Sequence, residues 1–242
     1  MSRQDRTQGE LDDLIGIPAL TAQELPALPS DRLKQIEAAL VADLRPVRPL
    51  APDSVYLAGF AGIFLAVCIA GCYIVGRYGW HALSELQRIA VFVPLVASTV
   101  LLAFSLVRQM RPAAKYARSS ALVSGALFIL LLPIMALLFQ PAQESAFVRH
   151  GLVCFRTGMV FAIPAAFFFA LLLLRGAALS PTLTGATAGG LAGLVGLAVL
   201  EIHCPDLNVY HIVVWHLSVV VVCVLAGFVF SSVTFRRRMP NY

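Results

Sequence analysis

The chain has 242 residues, of which 59% are hydrophobic and only 13% are charged, and its formal net charge is +5. A mean hydropathy of +0.83 excludes an ordinary soluble domain of this length. The composition predicts a membrane protein. The excess of positive charge is then first a signal of membrane topology and not of nucleic-acid binding.

Residues 1–54 differ from the rest because they are polar and contain several prolines. Two short amphipathic helices are predicted there. The first contains Leu11, Leu14 and Ile15 at helical spacing, and the second begins at the N-cap Ser30-Asp31. Its apolar stripe contains Leu33, Ile36, Leu40, Val41 and Leu44.

A segment of this size cannot bury enough apolar surface to fold robustly alone, so we expect it to fold on a partner. Prolines 46, 49 and 52 predict an extended connector into the membrane part. The alternative is that the second helix lies on the membrane surface. Its mixed charges argue mildly against that, because a surface-seeking helix is usually rich in Lys and Arg.

Six apolar runs follow, and each is close to the ~20 residues that a helix needs to cross a bilayer. The sequence therefore predicts an all-α, polytopic membrane protein: a six-helix transmembrane bundle at residues 55–242 with an N-terminal cytoplasmic segment at residues 1–54. A cleavable signal peptide needs a short apolar core near the first residues, and the sequence has none there. We therefore expect the segment to remain in the mature protein. The runs lie at about residues 56–76, 89–107, 119–139, 157–174, 182–200 and 211–233.

The basic residues of the loops predict the orientation, because cytoplasmic loops retain positive charge. With the N-terminus inside, ten basic residues fall on inner loops and ends, whereas four fall on outer loops beside acidic residues. Both termini are thus predicted to be cytoplasmic. The inner set is Arg45, Arg48, Arg108, Arg111, Lys115, Arg118, Arg175, Arg236, Arg237 and Arg238, and the outer set is Arg77, Arg88, Arg149 and Arg156.

Features that the sequence lacks argue against an enzyme and against an ion-coupled transporter. No predicted span carries a charged residue at its middle, and there is no phosphate-binding glycine loop, HExxH motif or convincing catalytic triad. We therefore expect no enzyme activity. A small membrane transporter or metal-uptake protein is the alternative, and a membrane thiol oxidoreductase is a third interpretation.

The fifth run contains Gly185, Gly189 and Gly193 at four-residue spacing. Such a face has almost no side chains, so another helix can approach it closely. We interpret it as a helix-packing face, and it is also compatible with a homodimer.

The end of that run reads Leu200-Glu201-Ile202-His203-Cys204-Pro205-Asp206. Cys154, predicted to lie in the outer loop before the fourth run, is expected on the same side as Cys204. The two thiols could form a disulfide if their Cα atoms approach within ~4.4–6.8 Å. Cys68, Cys72 and Cys223 fall inside predicted spans, where cysteine usually acts as a small hydrophobe.

A soft-metal site is the other use for these groups, since thiolate and imidazole are suitable ligands. The predicted set is Cys154, Cys204, His203 and Asp206. The same region also contains His150, His211 and His216, but the spacing is not that of a recognised zinc motif.

Several segments together resemble a known family. They are Ala42-Asp43-Leu44-Arg45-Pro46-Val47-Arg48, Cys154, Leu174-Arg175-Gly176-Ala177, Pro181, the glycine-rich run, His203-Cys204-Pro205-Asp206 and Trp215. In this layout the chain resembles the six-span anti-sigma factors of the NrsF type. His216, where the family often has an aromatic residue, and the three additional cysteines are departures from that pattern.

The resemblance implies that the N-terminal segment binds an extracytoplasmic-function (ECF) sigma factor at a bacterial inner membrane. It also implies that two periplasmic-side cysteines, matching Cys154 and Cys204, are required for the response to chromate and cadmium. Our hypothesis is a membrane anti-sigma factor with these thiols as the sensor, bound by lipid and sigma factor but not directly by nucleic acid. It requires no cofactor beyond a transient soft metal ion. The predicted sigma-binding residues are Leu33, Ile36, Leu40, Asp43, Leu44 and Arg45.

Overall fold

The computed structural model describes residues 30–42, 50–111, 117–141, 146–176 and 180–238. The chain divides into two units, Met1–Pro49 and Leu50–Tyr242. In the first unit the described element is helix α1 (Ser30–Ala42). The predicted helix around Leu11, the residues Asp43, Leu44 and Arg45, and the side chain of Leu40 lie outside the described residues.

The second unit is built from helices, and no strand occurs among its described residues. After α7 the chain makes a short loop and enters one continuous helical span with a π-helical turn near its beginning. In chain order the elements are α2 (Asp53–Val75), α3 (Tyr78–Ala82), α4 (Glu85–Gln109), α5 (Ala117–Leu138), α6 (Phe147–Leu173), α7 (Pro181–His203), α8 (Val209–His211), the π turn (Ile212–His216) and α9 (Leu217–Arg238).

Five of these segments are long and apolar enough to cross a membrane: α2, α4, α6, α7 and Val209–Thr234. The membrane character predicted from the sequence is thereby supported. Helix α5 coincides with the third predicted run, but many of its side chains lie outside the described residues. The count of six spans and the orientation of the termini stay predictions.

The helix ends follow from local sequence. Helix α4 begins at a capping box, in which the Gln87 backbone N–H donates to Ser84 Oγ at 3.4 Å and the Ser84 N–H donates to Gln87 Oε1 at 3.0 Å. Helix α7 begins with Pro181 at a position where no backbone donor is needed. Helix α2 ends at Gly76, whose φ of 87° favours glycine.

Helix α7 is the centre of the bundle. Every residue from Gly189 to Glu201 is buried, and helices α2, α4, α6 and α9 pack around it. Lipid can also cover an apolar helix, so the central position of α7 is better explained by its many small residues, which let neighbouring helices approach closely. Its C-terminal end, together with α3 and the first turns of α6, forms what we call the thiol end of the bundle.

The glycines of α7 lie against the last helix. A Cβ atom on Gly189 would meet the carbonyl oxygen of Cys223, one on Gly185 the carbonyl of Gly227, and one on Gly193 would lie 2.6 Å from Val220 Cα. The two helix backbones are thus in direct contact. This face is filled by α9 within the chain itself.

A buried polar network lies at the end opposite the thiols. Gln109 donates from Nε2 to Ser105 Oγ at 2.9 Å and to Thr187 Oγ1 at 3.2 Å, while its Oε1 accepts from Thr184 at 2.8 Å. Nearby, Arg111 pairs with Asp53 at 2.6 Å. The network joins α4 to α7, and the ion pair joins the end of α4 to the first residue of α2.

Replacing Gly189 with alanine is expected to destabilise the bundle by about 1–3 kcal/mol, because the added methyl group has no room against the α9 backbone. Gly62 is the matched control, because a Cβ there would meet nothing within 4 Å. Thermal unfolding in detergent should therefore show a lower midpoint for Gly189→Ala and no loss for Gly62→Ala. Equal midpoints for both variants would contradict the close helix contact.

Candidate thiol and metal site

Cys154 and Cys204 are neighbours at the thiol end, with their Sγ atoms 3.6 Å apart. Cys204 caps the C-terminus of α7, where its backbone N–H donates to the Leu200 carbonyl at 2.7 Å. Cys154 is the eighth residue of α6, at the start of its third turn. The prediction of a loop at Cys154 was wrong, because α6 begins at Phe147 and extends its polar first turns beyond the apolar run.

Two histidines complete the cluster. Ligand atoms of Cys154, Cys204, His211 and His216 all lie within 4.8 Å of one another, and three of the four residues are buried. Nε2 of His211 is 3.7 Å from Cys204 Sγ. The two imidazole rings lie edge to face with centroids 5.2 Å apart.

The π turn explains how these histidines meet. In an α-helix, residues five apart project about 140° from each other around the axis. Here the Leu217 N–H bonds to the Ile212 carbonyl across five residues, which widens the turn. His211 precedes that turn and His216 is its last residue, and both are brought to the same side of the span. Single π turns of this kind are frequent at functional sites.

Each histidine has a carboxylate behind it. Nδ1 of His216 is 2.9 Å from Glu201 Oε1, and both side chains are almost completely buried. Nδ1 of His211 is 3.2 Å from Asp206 Oδ2. The carboxylates therefore engage the outer nitrogen of each ring and leave Nε2 directed to the thiols.

The loop between α7 and α8 is ordered by its own side chains. Asp206 Oδ1 accepts from the Asn208 N–H at 2.9 Å, and Asn208 Oδ1 caps α8 by accepting from the Tyr210 N–H at 3.1 Å. Such local bonds favour turns and N-caps. They hold Asp206 in position for His211 before any ligand arrives.

Two glycines let neighbouring helices approach the site. A Cβ on Gly79 of α3 would lie 2.8 Å from the Glu201 carbonyl and against that of Cys204. A Cβ on Gly151 of α6 would overlap the Trp215 indole of the π turn. The site is thus closed by tight backbone contacts on both sides.

The surroundings of the Cys204 thiol disfavour its charged form. Its contact with the Cys154 sulfur and its burial raise the Cys204 pKa above its ordinary value, and the neighbouring histidines oppose the shift only in part. A metal cation that binds here would displace the thiol proton, because the thiolate is the form that coordinates a metal.

The predicted site residues separate into two groups. Cys154 and Cys204 are brought together, and Asp206 lies beside them as the partner of His211, one step removed from the thiols. His203 is not a member of the Cys–His cluster. Its ring lies edge to face against that of Tyr78, with the ring centroids 6.0 Å apart. Of the remaining cysteines, Cys223 lies near the Met159 sulfur at 3.9 Å.

The sequence analysis missed the pairing of His211 with His216 and the role of Glu201. All three were visible as residues near Cys204. Their convergence could not be predicted, because residues five apart on an ordinary α-helix lie on different faces. A π turn gives no clear signal in sequence.

The model of the family described as negative regulator of sigma F matches residues 40–236 of the chain. The chain belongs to the NrsF family. No curated protein and no solved structure matches it. The matched range contains all four members of the Cys–His cluster and both carboxylates, so the site lies within the part of the chain that defines an NrsF protein.

Mild oxidation is expected to join Cys154 to Cys204, because their sulfurs need to move by only ~1.6 Å to reach the ~2.05 Å of a disulfide. Treatment with copper phenanthroline should leave three thiols available to a maleimide-PEG gel shift where the reduced, denatured chain shows five. Peptide mapping should identify the 154–204 pair. Retention of all five reactive thiols would contradict the close approach of the two sulfurs.

Proposed function

We propose that this NrsF-family protein is a membrane-bound anti-sigma factor that releases an ECF sigma factor when its thiol end responds to heavy metal or oxidative stress. The family match supports negative regulation of a sigma factor. The observation that carries the sensing part is the approach of Cys154 to Cys204 inside a Cys–His cluster. We place the protein in a bacterial inner membrane with the thiol end toward the periplasm.

Helix α1 is the sigma-binding element in this proposal. Its Leu33 and Ile36 side chains are about half exposed, at 52% and 49%, although both are apolar. An amphipathic helix with an uncovered apolar face is suited to a hydrophobic groove on a partner. Asp43, Leu44 and Arg45 extend the proposed contact beyond the described part of the helix.

Helix α7 is the element that connects the two ends of the bundle. Its C-terminus carries Cys204, and near its N-terminus Thr184 and Thr187 bond to Gln109 of α4. Arg111, two residues after Gln109, pairs with Asp53 where the N-terminal connector enters α2. A small displacement of α7 at the thiols is thereby passed to the helix that follows the sigma-binding segment.

A transporter is less well supported. Among the described residues Glu201 is the single carboxylate, lysine or arginine that is fully buried, and it is paired with His216 at the thiol end. A transport path would need polar groups along the bundle as well as at its mouth.

Exchanging Leu33 and Ile36 for serine should weaken sigma binding by tenfold or more, because two apolar contacts of ~1 kcal/mol or more each are lost. The matched control is Lys34→Ser with Glu37→Ser on the polar face. Co-purification with the sigma factor and its Kd would be measured. If the Lys34/Glu37 variant lost binding and the Leu33/Ile36 variant kept it, the sigma factor would contact the charged face of α1 instead.

Replacing Cys154 and Cys204 by serine should preserve repression and abolish the response of sigma-dependent transcription to cadmium and chromate. Cys68→Ser with Cys72→Ser is the control, because these thiols lie within α2 and are not members of the cluster. Membrane insertion of every variant is checked in parallel. An unchanged response in the 154/204 variant would refute the thiol sensor.

A further inference from the structure

We infer that Cys154, Cys204, His211 and His216 form a Cys2His2 site for one soft divalent metal ion, of the Zn²⁺ or Cd²⁺ class. Glu201 and Asp206 position the two imidazoles and are not ligands. The biological role of the site rests on the proposed function, whereas its existence does not. The ligand set replaces the predicted one by exchanging His203 and Asp206 for the two histidines of the last span.

The distances agree with tetrahedral coordination. Two thiolates at ~2.3 Å from a tetrahedral ion lie ~3.8 Å apart, and a thiolate and an imidazole nitrogen at ~2.0–2.1 Å lie ~3.6 Å apart. The corresponding separations are 3.6 Å for Cys154 Sγ to Cys204 Sγ and 3.7 Å for Cys204 Sγ to His211 Nε2. The largest separation among the four ligand atoms is within 4.8 Å, about 1 Å more than an ideal tetrahedron requires.

The two histidines are oriented for metal binding, because a carboxylate lies beside Nδ1 of each ring. His216 is held through Nδ1 by Glu201, and its buried Nε2 has no hydrogen-bond partner among the described residues. A buried nitrogen without a partner is costly unless a ligand satisfies it. Metal-binding histidines almost always bond through the other ring nitrogen to a carboxylate, carbonyl or water, and here both histidines have a carboxylate.

The donor set selects the kind of metal. Two thiolates with two imidazoles suit Zn²⁺ and Cd²⁺, whereas Mg²⁺ and Ca²⁺ prefer oxygen ligands. Burial of Cys204, His211 and His216 restricts water at the site. Binding replaces the two thiol protons, which pass to solvent, by two metal–sulfur bonds and changes no oxidation state.

The test uses the full-length protein, reduced and reconstituted in lipid nanodiscs, and titrated with Zn²⁺ or Cd²⁺ alone. One ion per chain is expected. X-ray absorption of the Zn²⁺-loaded protein should show two sulfurs at ~2.3 Å and two nitrogens at ~2.0–2.1 Å. An absence of binding, or a shell without nitrogen, would overturn the site, and this measurement needs no variant.

Variants then assign the ligands. His211→Ala and His216→Ala should each weaken binding by more than about 100-fold, whereas Glu201→Gln and Asp206→Asn should weaken it by ~10–100-fold and keep the two-nitrogen shell. His203→Ala is the matched control, since it removes a histidine next to Cys204 that is outside the cluster, and its affinity should equal that of the unmodified chain. If instead His203→Ala is the weak binder and the His211 and His216 variants are normal, the assigned ligand set is wrong.

This outcome is separable from that of the proposed function. If the chain binds the ion with the expected shell but sigma-dependent transcription ignores both the metal and the cysteine variants, the site stands and the regulatory role fails. If no ion binds, yet Cys154→Ser with Cys204→Ser abolishes the response, the site fails and oxidation of the thiols is the signal.

Discussion

The direct backbone contact between α7 and α9 is the constraint on which the site depends. Because Gly189 and its neighbouring glycines have no side chains, α9 lies against the carbonyl groups of α7 and runs beside it. That closeness places the last turn of α7 beside the beginning of the final span. Glu201 can then reach His216, and Cys204 can reach His211. A wider helix pair would separate the two histidines from the thiol and from the carboxylate.

The Glu201–His216 pair is better explained by positioning than by stability. A buried pair recovers its desolvation cost poorly, and apolar residues of similar volume are often as stable or more stable. The pair does, however, fix the ring of His216 and leave its Nε2 directed away from Glu201. The half-exposed Arg111–Asp53 pair at the opposite end is different, because solvent screens it and it joins two chain segments without organising a site.

The sequence predicts most of the fold, since apolar runs of membrane length need no tertiary information. It also predicts that Cys154 and Cys204 share one end of the bundle, because the chain crosses the membrane twice between them and so returns to the same side. It does not predict the ligands of the site. His203 was favoured for being adjacent to Cys204 in sequence, yet adjacent residues project in different directions, and the ring of His203 contacts Tyr78 instead. His211 and His216 become neighbours through a π turn, whose residue Trp215 packs on Gly151 of α6.

A metal ion and a disulfide would act on the bundle in different ways as the input of such a switch. Reversing a two-state equilibrium from 1:99 to 99:1 requires about 5.5 kcal/mol of differential stabilisation. A disulfide typically contributes about 2–4 kcal/mol, mainly by restricting the unfolded chain, and would join only α6 to the end of α7. Structural Zn²⁺ sites reach about 10–16 kcal/mol in small peptides. An ion held by all four groups would also recruit the π turn, and so would act on α6, α7 and the final span at once.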